Sequence, residues 1–254
     1  MRNKNLFIIG GEGLIGKSIV SYFLKNGWNV FSFDKIKSNK IKKKNYHFFE
    51  IDINQFSELT ILLKTIFTKK IPDCFINASY PRTDDWAKNN FSDITYKSFS
   101  KNIDLQLKSV CWLSKIFADQ MQKRKVRGSI ILLASMYGIV AHDSSVYQGT
   151  KMKENFTYTI IKGGIISSAK SLASYYGRYN IRVNAISPGA ILGHIAGGKS
   201  NQPKNFIKNF ESRVPLRRLS KPIEIAKAIY FLGSEESSYI TGSNLVADGG
   251  WTII

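Results

Sequence analysis

The stretch "NLFIIGGEGLIGKSIVSYFLKNG", residues 5–27, decides the fold. It opens as a short apolar run that ends in glycine. Apolar residues at helical spacing follow, and Gly27 stops them. Strand, glycine turn and helix make the first half of a βα unit. Gly10, Gly13 and Gly16 are spaced G-x-x-G-x-x-G. Glycines there permit a tight turn and a close approach of backbone to a pyrophosphate. Leu14, Ile15 and Gly16 then open the helix, where free N–H groups favour an anion.

The same alternation runs to the end of the chain. Strand-like "NVFSFD" (29–34), "HFFEIDI" (47–53), "DCFINAS" (73–79), "GSIILLAS" (128–135), "IRVNAISPG" (181–189) and "NLVADGG" (244–250) are separated by helical stretches. The longest of these are "SFSKNIDLQLKSVCWLSKIFADQMQ" (98–122) and "TYTIIKGGIISSAKSLASYYGRY" (157–179), each expected to be one helix. Apolar strands alternating with helices imply an α/β fold with a sheet buried on both faces. The expectation is one doubly wound domain over residues 1–254, with about seven strands, mostly or all parallel. Ligands should gather at the carboxyl ends of the strands.

Strand ends then name candidates. Asp34 closes the second strand, where an acid can bond a ribose diol and repel a 2′-phosphate. That favours NAD, with NADP kept open by Lys35 and Lys37. Asp52 is placed to accept from an adenine amino group, with Ile53 against the ring. Asn77, Ala78 and Ser79 end the fourth strand, where backbone passes a ribose. Asn77 has an equally weighted alternative role, tying neighbouring strands together.

Two stretches compete for proton chemistry: "YQGTK" (147–151) and "YTIIK" (158–162). Each sets a Tyr and a Lys four residues apart, one above the other if helical. A neighbouring ammonium lowers a phenol's pKa. With 12 tyrosines in a lysine-rich chain, chance alone gives about one such pair, so position must decide.

The landmarks "ILLAS", "YTIIKGG", "IRVNAISPG", "PLRRLSKPIEIA" and "YITGSNLVADGG", in that order, resemble those of the short-chain dehydrogenase/reductase family, compact single-domain branch. The resemblance spans essentially the whole chain. It implies an NAD(P)-dependent oxidoreductase on a Rossmann fold, a homotetramer or homodimer joined through the two long helices. It also implies a catalytic Ser135, Tyr158 and Lys162. Tyr158 is preferred because the helix from it to Pro188 keeps step with the family without a gap. The span from Ser135 to Tyr147 is the family's more usual one, but a loop absorbs extra residues cheaply and a helix interior does not. Gln106 stands where the family's fourth catalytic residue, an Asn, is expected. Pro188, Gly189 and Ile191 are placed at the nicotinamide, Ile191 through its backbone.

"NASYPR" (77–82) and the insertion "IVAHDSSVYQGTKMKENF" (139–156) further resemble oxidoreductases of flagellin modification and legionaminic-type sugar pathways. That resemblance implies an anionic sugar or amino-sugar derivative as substrate. Tyr80, Arg82, Tyr137, Tyr147 and His194 are candidate substrate contacts, with Lys199 and Lys204 as further cations. Residues 190–214 would form a lid. Two other readings stay open: a 3-ketoacyl-carrier-protein reductase, and a non-catalytic dinucleotide sensor that holds nucleic acid.

Composition bounds the rest. The net charge is +19, yet the densest basic run, "KIKSNKIKKK" (35–44), has no interleaved aromatics, so a solvated loop is expected rather than a nucleic-acid site. No apolar run is long enough to span a membrane. Cys74 and Cys111 lie in apolar segments and fit buried thiols in a reducing cytoplasm. No His/Cys spacing suits a metal.

Overall fold

A computed structural model describes residues 3–36, 41–193 and 201–254. Seven parallel strands form one sheet in the order β3-β2-β1-β4-β5-β6-β7. They are β1 (Asn5–Ile9), β2 (Asn29–Asp34), β3 (Tyr46–Glu50), β4 (Cys74–Asn77), β5 (Gly128–Leu133), β6 (Ile181–Pro188) and β7 (Asn244–Ala247). Helices lie in the crossovers other than that from β2 to β3, where the described residues form none: α1 (Leu14–Lys25), α2 (Phe56–Phe67), α3 (Tyr96–Asn102), α4 (Ser109–Lys123), α5 (Phe156–Tyr176), α6 (Lys204–Arg213) and α7 (Pro222–Gly233). Among the described residues no helix is long and apolar enough to cross a membrane.

Side-chain alternation within each strand feeds both faces. Phe7 and Ile9 of β1 join Leu59, Leu63, Phe117 and Ile161 from α2, α4 and α5. Leu6 and Ile8 join Ile19, Phe23, Ile225 and Ile229 from α1 and α7. Aromatic stacking reinforces the first face, with Phe75 and Phe117 ring centroids 3.7 Å apart. Truncating a ring such as Phe75 typically costs about 3–5 kcal/mol.

The strand order reverses between β1 and β4, so their following loops leave in opposite directions and open a crevice. Gly10 stands at its mouth with φ +80; a Cβ there would lie 2.5 Å from the Ser79 nitrogen. The loops after β1 and β4 therefore touch backbone to backbone.

Several boundaries differ from expectation, three of them with a visible cause. The strand expected over 47–53 ends at Glu50, because Asp52 folds a turn on its own backbone, accepting from the Asn54 N–H at 2.9 Å. The final strand stops at Ala247, where Asp248 takes up the Gly250 and Thr252 N–H groups. The helix expected over 98–122 is broken: Ile103–Lys108 forms a π turn between α3 and α4. Ser109 caps two carbonyls at this turn, those of Leu105 and Gln106.

Candidate active site

The start of α5 is tied down from three sides. Asn155 is its N-cap and accepts from the Tyr158 N–H at 2.9 Å. The Asn155 amide also donates to the Trp86 carbonyl at 3.2 Å. Buried Asn89 accepts from the Phe156 N–H at 2.8 Å and from the Thr157 hydroxyl at 2.6 Å. Asn89 donates in turn to Ser98 at 2.8 Å, within a network that includes Asp85 and Asn102. One helical turn on, Gly163 and Gly138 let α5 meet the turn after β5; a Cβ on Gly138 would lie 2.6 Å from the Lys162 carbonyl carbon. That close approach brings the segment after Ser135 against Tyr158 and Lys162.

Lys162 is 8% exposed and donates to the Leu133 carbonyl at 2.8 Å. Its ammonium lies 5.4 Å from the Tyr158 ring centroid and 5.9 Å from that of Tyr80. Burial drives its pKa down to about 8. The Tyr158 phenol is pushed up by burial, and a hydrogen bond from Ser135 offsets part of the rise. Contrary to the expectation from sequence, the neighbouring lysine does not set the direction: desolvation of the phenolate dominates here. Ser135 is buried, and its hydroxyl also accepts from the Tyr137 N–H at 3.2 Å.

Tyr147 lies apart from this group. It ends a 3₁₀ turn (Ser144–Tyr147), and Lys151 is in the exposed loop beyond, so the pair never shares a helix face. Its hydroxyl meets His142 Nδ1 at 2.7 Å. Tyr137 stacks on the other side of the imidazole, with centroids 3.7 Å apart. His142, Tyr80 and Trp86 each lie within 6.4 Å of the Tyr158 ring, centroid to centroid. The insertion and the loop after β4 thus enclose Tyr158 in aromatic rings. Phe206 and Phe210 of α6, with Trp251, back this wall. The Tyr137 hydroxyl is buried without a hydrogen-bond partner. Arg82 lies near Tyr80, where its charge opposes the upward push that burial gives that phenol. Lys204 begins α6 and is exposed; His194 and Lys199 lie outside the described residues.

His142 and Trp86 carried no signal in the sequence, because the irregular segments that hold them, the insertion and the loop after β4, have no periodicity to betray an inward side chain. Burial holds His142 down to about 4, against the opposing pull of Glu154 and of the Asn155 backbone, and its buried Nε2 has no hydrogen-bond partner. The folded state takes the neutral ring, so this stability is present above pH 6.5 and is lost as pH falls through about 4. Urea unfolding at pH 7.5 and pH 5 should show a loss of about 1–2 kcal/mol that His142→Gln largely abolishes. An equal loss in both proteins would assign the acid sensitivity elsewhere.

The crevice at the other end suits a dinucleotide. The α1 N-terminus has no side-chain cap and no acid in its first turn, leaving the N–H groups of Leu14, Ile15 and Gly16 to an anion. Asp34 stands at the rim of β2 and accepts from the Glu12 N–H at 2.9 Å. Asn77 does not tie neighbouring strands: its oxygen accepts from the N–H and the hydroxyl of Ser79, beside Ala78, and its buried amide nitrogen is unpartnered. Ile53 packs at the edge of the first core face. Pro188 ends β6, and Gly189 just after it donates to the Ala247 carbonyl at 3.1 Å. The Ile191 carbonyl already accepts from Gln202 at 3.0 Å. Gln106 is brought inside the π turn, 3% exposed, with its amide nitrogen unpartnered.

A family profile described as enoyl-(acyl carrier protein) reductase matches residues 12–252. The post-translational flagellin modification protein A of Campylobacter coli is 30% identical, over 99% of this chain and 99% of that one. A ribulose-forming D-arabinitol 2-dehydrogenase of Scheffersomyces stipitis is 34% identical over 72% of this chain and 62% of that one. A crystal structure of a short-chain dehydrogenase from Leptospira borgpetersenii with bound NAD+ superposes with a TM-score of 0.86 at 30% identity, covering 99% of this chain and 94% of that one. With this sheet order, this crevice and these relatives, the chain belongs to the short-chain dehydrogenase/reductase family of NAD(P)-dependent oxidoreductases.

Proposed function

We propose that this enzyme uses NAD to interconvert a hydroxyl and a keto group on a sugar or amino-sugar derivative destined for a surface glycan. The observation that carries the reading is the meeting of Ser135, Tyr158 and Lys162 inside an aromatic enclosure beside the dinucleotide crevice. The arabinitol dehydrogenase relative favours a polyhydroxylated substrate, and the Campylobacter coli relative favours a role in modifying a surface protein. Gly10, Gly13 to Gly16, Asp34, Asn77 to Ser79, Pro188 to Ile191 and Lys162 would hold the dinucleotide, which supplies or accepts hydride when bound.

In this reading the Tyr158 hydroxyl passes its proton to the substrate oxygen during reduction and recovers it during oxidation. Its raised pKa keeps the phenol protonated at neutral pH, the form that reduction needs. Ser135 donates a hydrogen bond to the same substrate oxygen and stabilises charge growing there. Lys162, as ammonium, stabilises the phenolate left behind. The rings of Tyr80, Trp86 and His142 exclude water and offer flat apolar faces to a sugar ring, while Arg82 and Lys204 would meet an anionic group. Gln106 stands in for the family's Asn. The half-exposed Trp112 on α4, beside Leu172 of α5, suits association of copies through these two helices.

The test is NADH consumption or formation with a panel of sugar phosphates and nucleotide-activated amino sugars, set beside an acetoacetyl thioester. Turnover confined to the sugar panel supports this reading. Turnover confined to the thioester would make the enzyme a carrier-protein reductase.

A further inference from the structure

Glu12 is an acid inside the glycine turn that faces a pyrophosphate, a residue type that charge alone disfavours there. The structure resolves the conflict by folding its side chain down toward β3. Oε1 accepts a hydrogen bond from the Tyr46 hydroxyl at 2.9 Å. The carboxylate is only 5% exposed, and Oε2 has no hydrogen-bond partner. Lys17 is the counter-charge, but its Nζ is 4.0 Å from Oε2 and the side chain is largely in solvent. The main-chain N–H of Glu12 meanwhile donates to Asp34 Oδ2, and the Ile36 N–H approaches Oδ1 at 3.4 Å. Tyr46 feels both acids: its phenol is pushed up by burial first, then by Glu12 and by Asp34. Two carboxylates thus share one corner of the crevice, Asp34 at the rim and Glu12 beneath it.

The two charges are not equivalent. Asp34 is flanked by exposed Lys35, which can offset its field and which a 2′-phosphate would welcome. Glu12 is enclosed by protein, where a charge acts over several ångströms with little screening by salt. Tyr46 holds it in place.

We propose that Glu12 is a second specificity residue for the dinucleotide: its buried negative charge under Asp34 excludes a 2′-phosphate, and its N–H holds Asp34 toward the ribose diol. This rests on the NAD reading above. It assigns the discrimination to a pair of acids, one of them in the turn itself.

Glu12→Gln isolates the charge. The amide oxygen still accepts from Tyr46 and the main-chain bond to Asp34 is unchanged, so the melting temperature should be preserved. Calorimetric titration with NADH and with NADPH, at low and high salt, is the measurement. In Glu12→Gln, NADPH affinity should rise about tenfold while NADH affinity stays within about twofold, and the shift should persist at high salt. Lys17→Met removes the counter-charge and should move the ratio the opposite way. An unchanged ratio in both variants, or equal weakening of both dinucleotides, overturns the role of Glu12 and leaves the NAD reading standing. A wild-type protein that prefers NADPH overturns both.

Discussion

Tyr158→Phe should lower turnover by about 10³-fold while NADH affinity stays within about twofold. The substitution removes one hydroxyl and leaves the ring, so the contacts with Tyr80, Trp86 and His142 survive. Fold and enclosure should therefore be intact, and the loss would belong to proton transfer. Tyr147→Phe is the matched control. Its hydroxyl is committed to His142, and no lysine lies one turn along a helix from it. The loss expected there is about tenfold or less, carried mainly in KM, since the wall moves but the proton donor does not. Single-turnover reduction monitored at the NADH absorbance, with calorimetric NADH affinity, separates the two. A dead Tyr147→Phe beside an active Tyr158→Phe would exchange their roles.

The choice between these tyrosines shows what a sequence can carry. The helix from Tyr158 onward was legible because the stretch up to Pro188 keeps step with the landmarks of the short-chain dehydrogenase/reductase family without a gap. The doubly wound sheet and its ligand crevice followed from alternation and the glycine turn, both local signals, whereas the order of the strands came from the structure. The site's remaining parts depend on contacts between distant segments. Asn89 and Asn155 pin the start of α5, yet each reads in sequence as a loop residue. His142 and Trp86 reach Tyr158 from irregular loops. The π turn at Gln106 was invisible because its residues keep helical composition; only the carbonyls taken by Ser109 reveal it. Glu12 lay in plain view as an acid in an anion-binding turn. Its meaning needed Tyr46, brought beside it by the pairing of β3 with β2. The direction of the Tyr158 shift also required burial, since spacing shows the lysine but not the loss of water.

Gly16→Ala should abolish dinucleotide binding and destabilise the chain by about 2–4 kcal/mol. A Cβ at this position would stand 2.0 Å from the Gly10 carbonyl oxygen and 2.9 Å from Gly11 backbone atoms. Those neighbours are main chain, so no side-chain rotamer relieves the clash. Either α1 withdraws from β1 or the turn opens. Gly10 cannot yield easily, because its φ of +80 is already the left-handed region and its other side abuts the Ser79 backbone. A displaced turn moves the N–H groups that would face the pyrophosphate and the Glu12 N–H that holds Asp34. Gly13→Ala is the informative contrast. Gly13 has φ −70 and ψ 176, open to any residue, and its nearest Cβ contact is 3.3 Å. That variant should fold within about 1 kcal/mol of wild type and lose only part of its NADH affinity. Thermal melts and calorimetry on both variants decide the matter. A Gly16→Ala protein that melts normally and binds NADH would mean the turn has slack that this backbone contact denies. The spacing of glycines would then be incidental to the crevice. If the two variants differ as expected, the third glycine serves helix–turn packing and the second serves approach of the ligand, two distinct reasons for one residue type within seven positions.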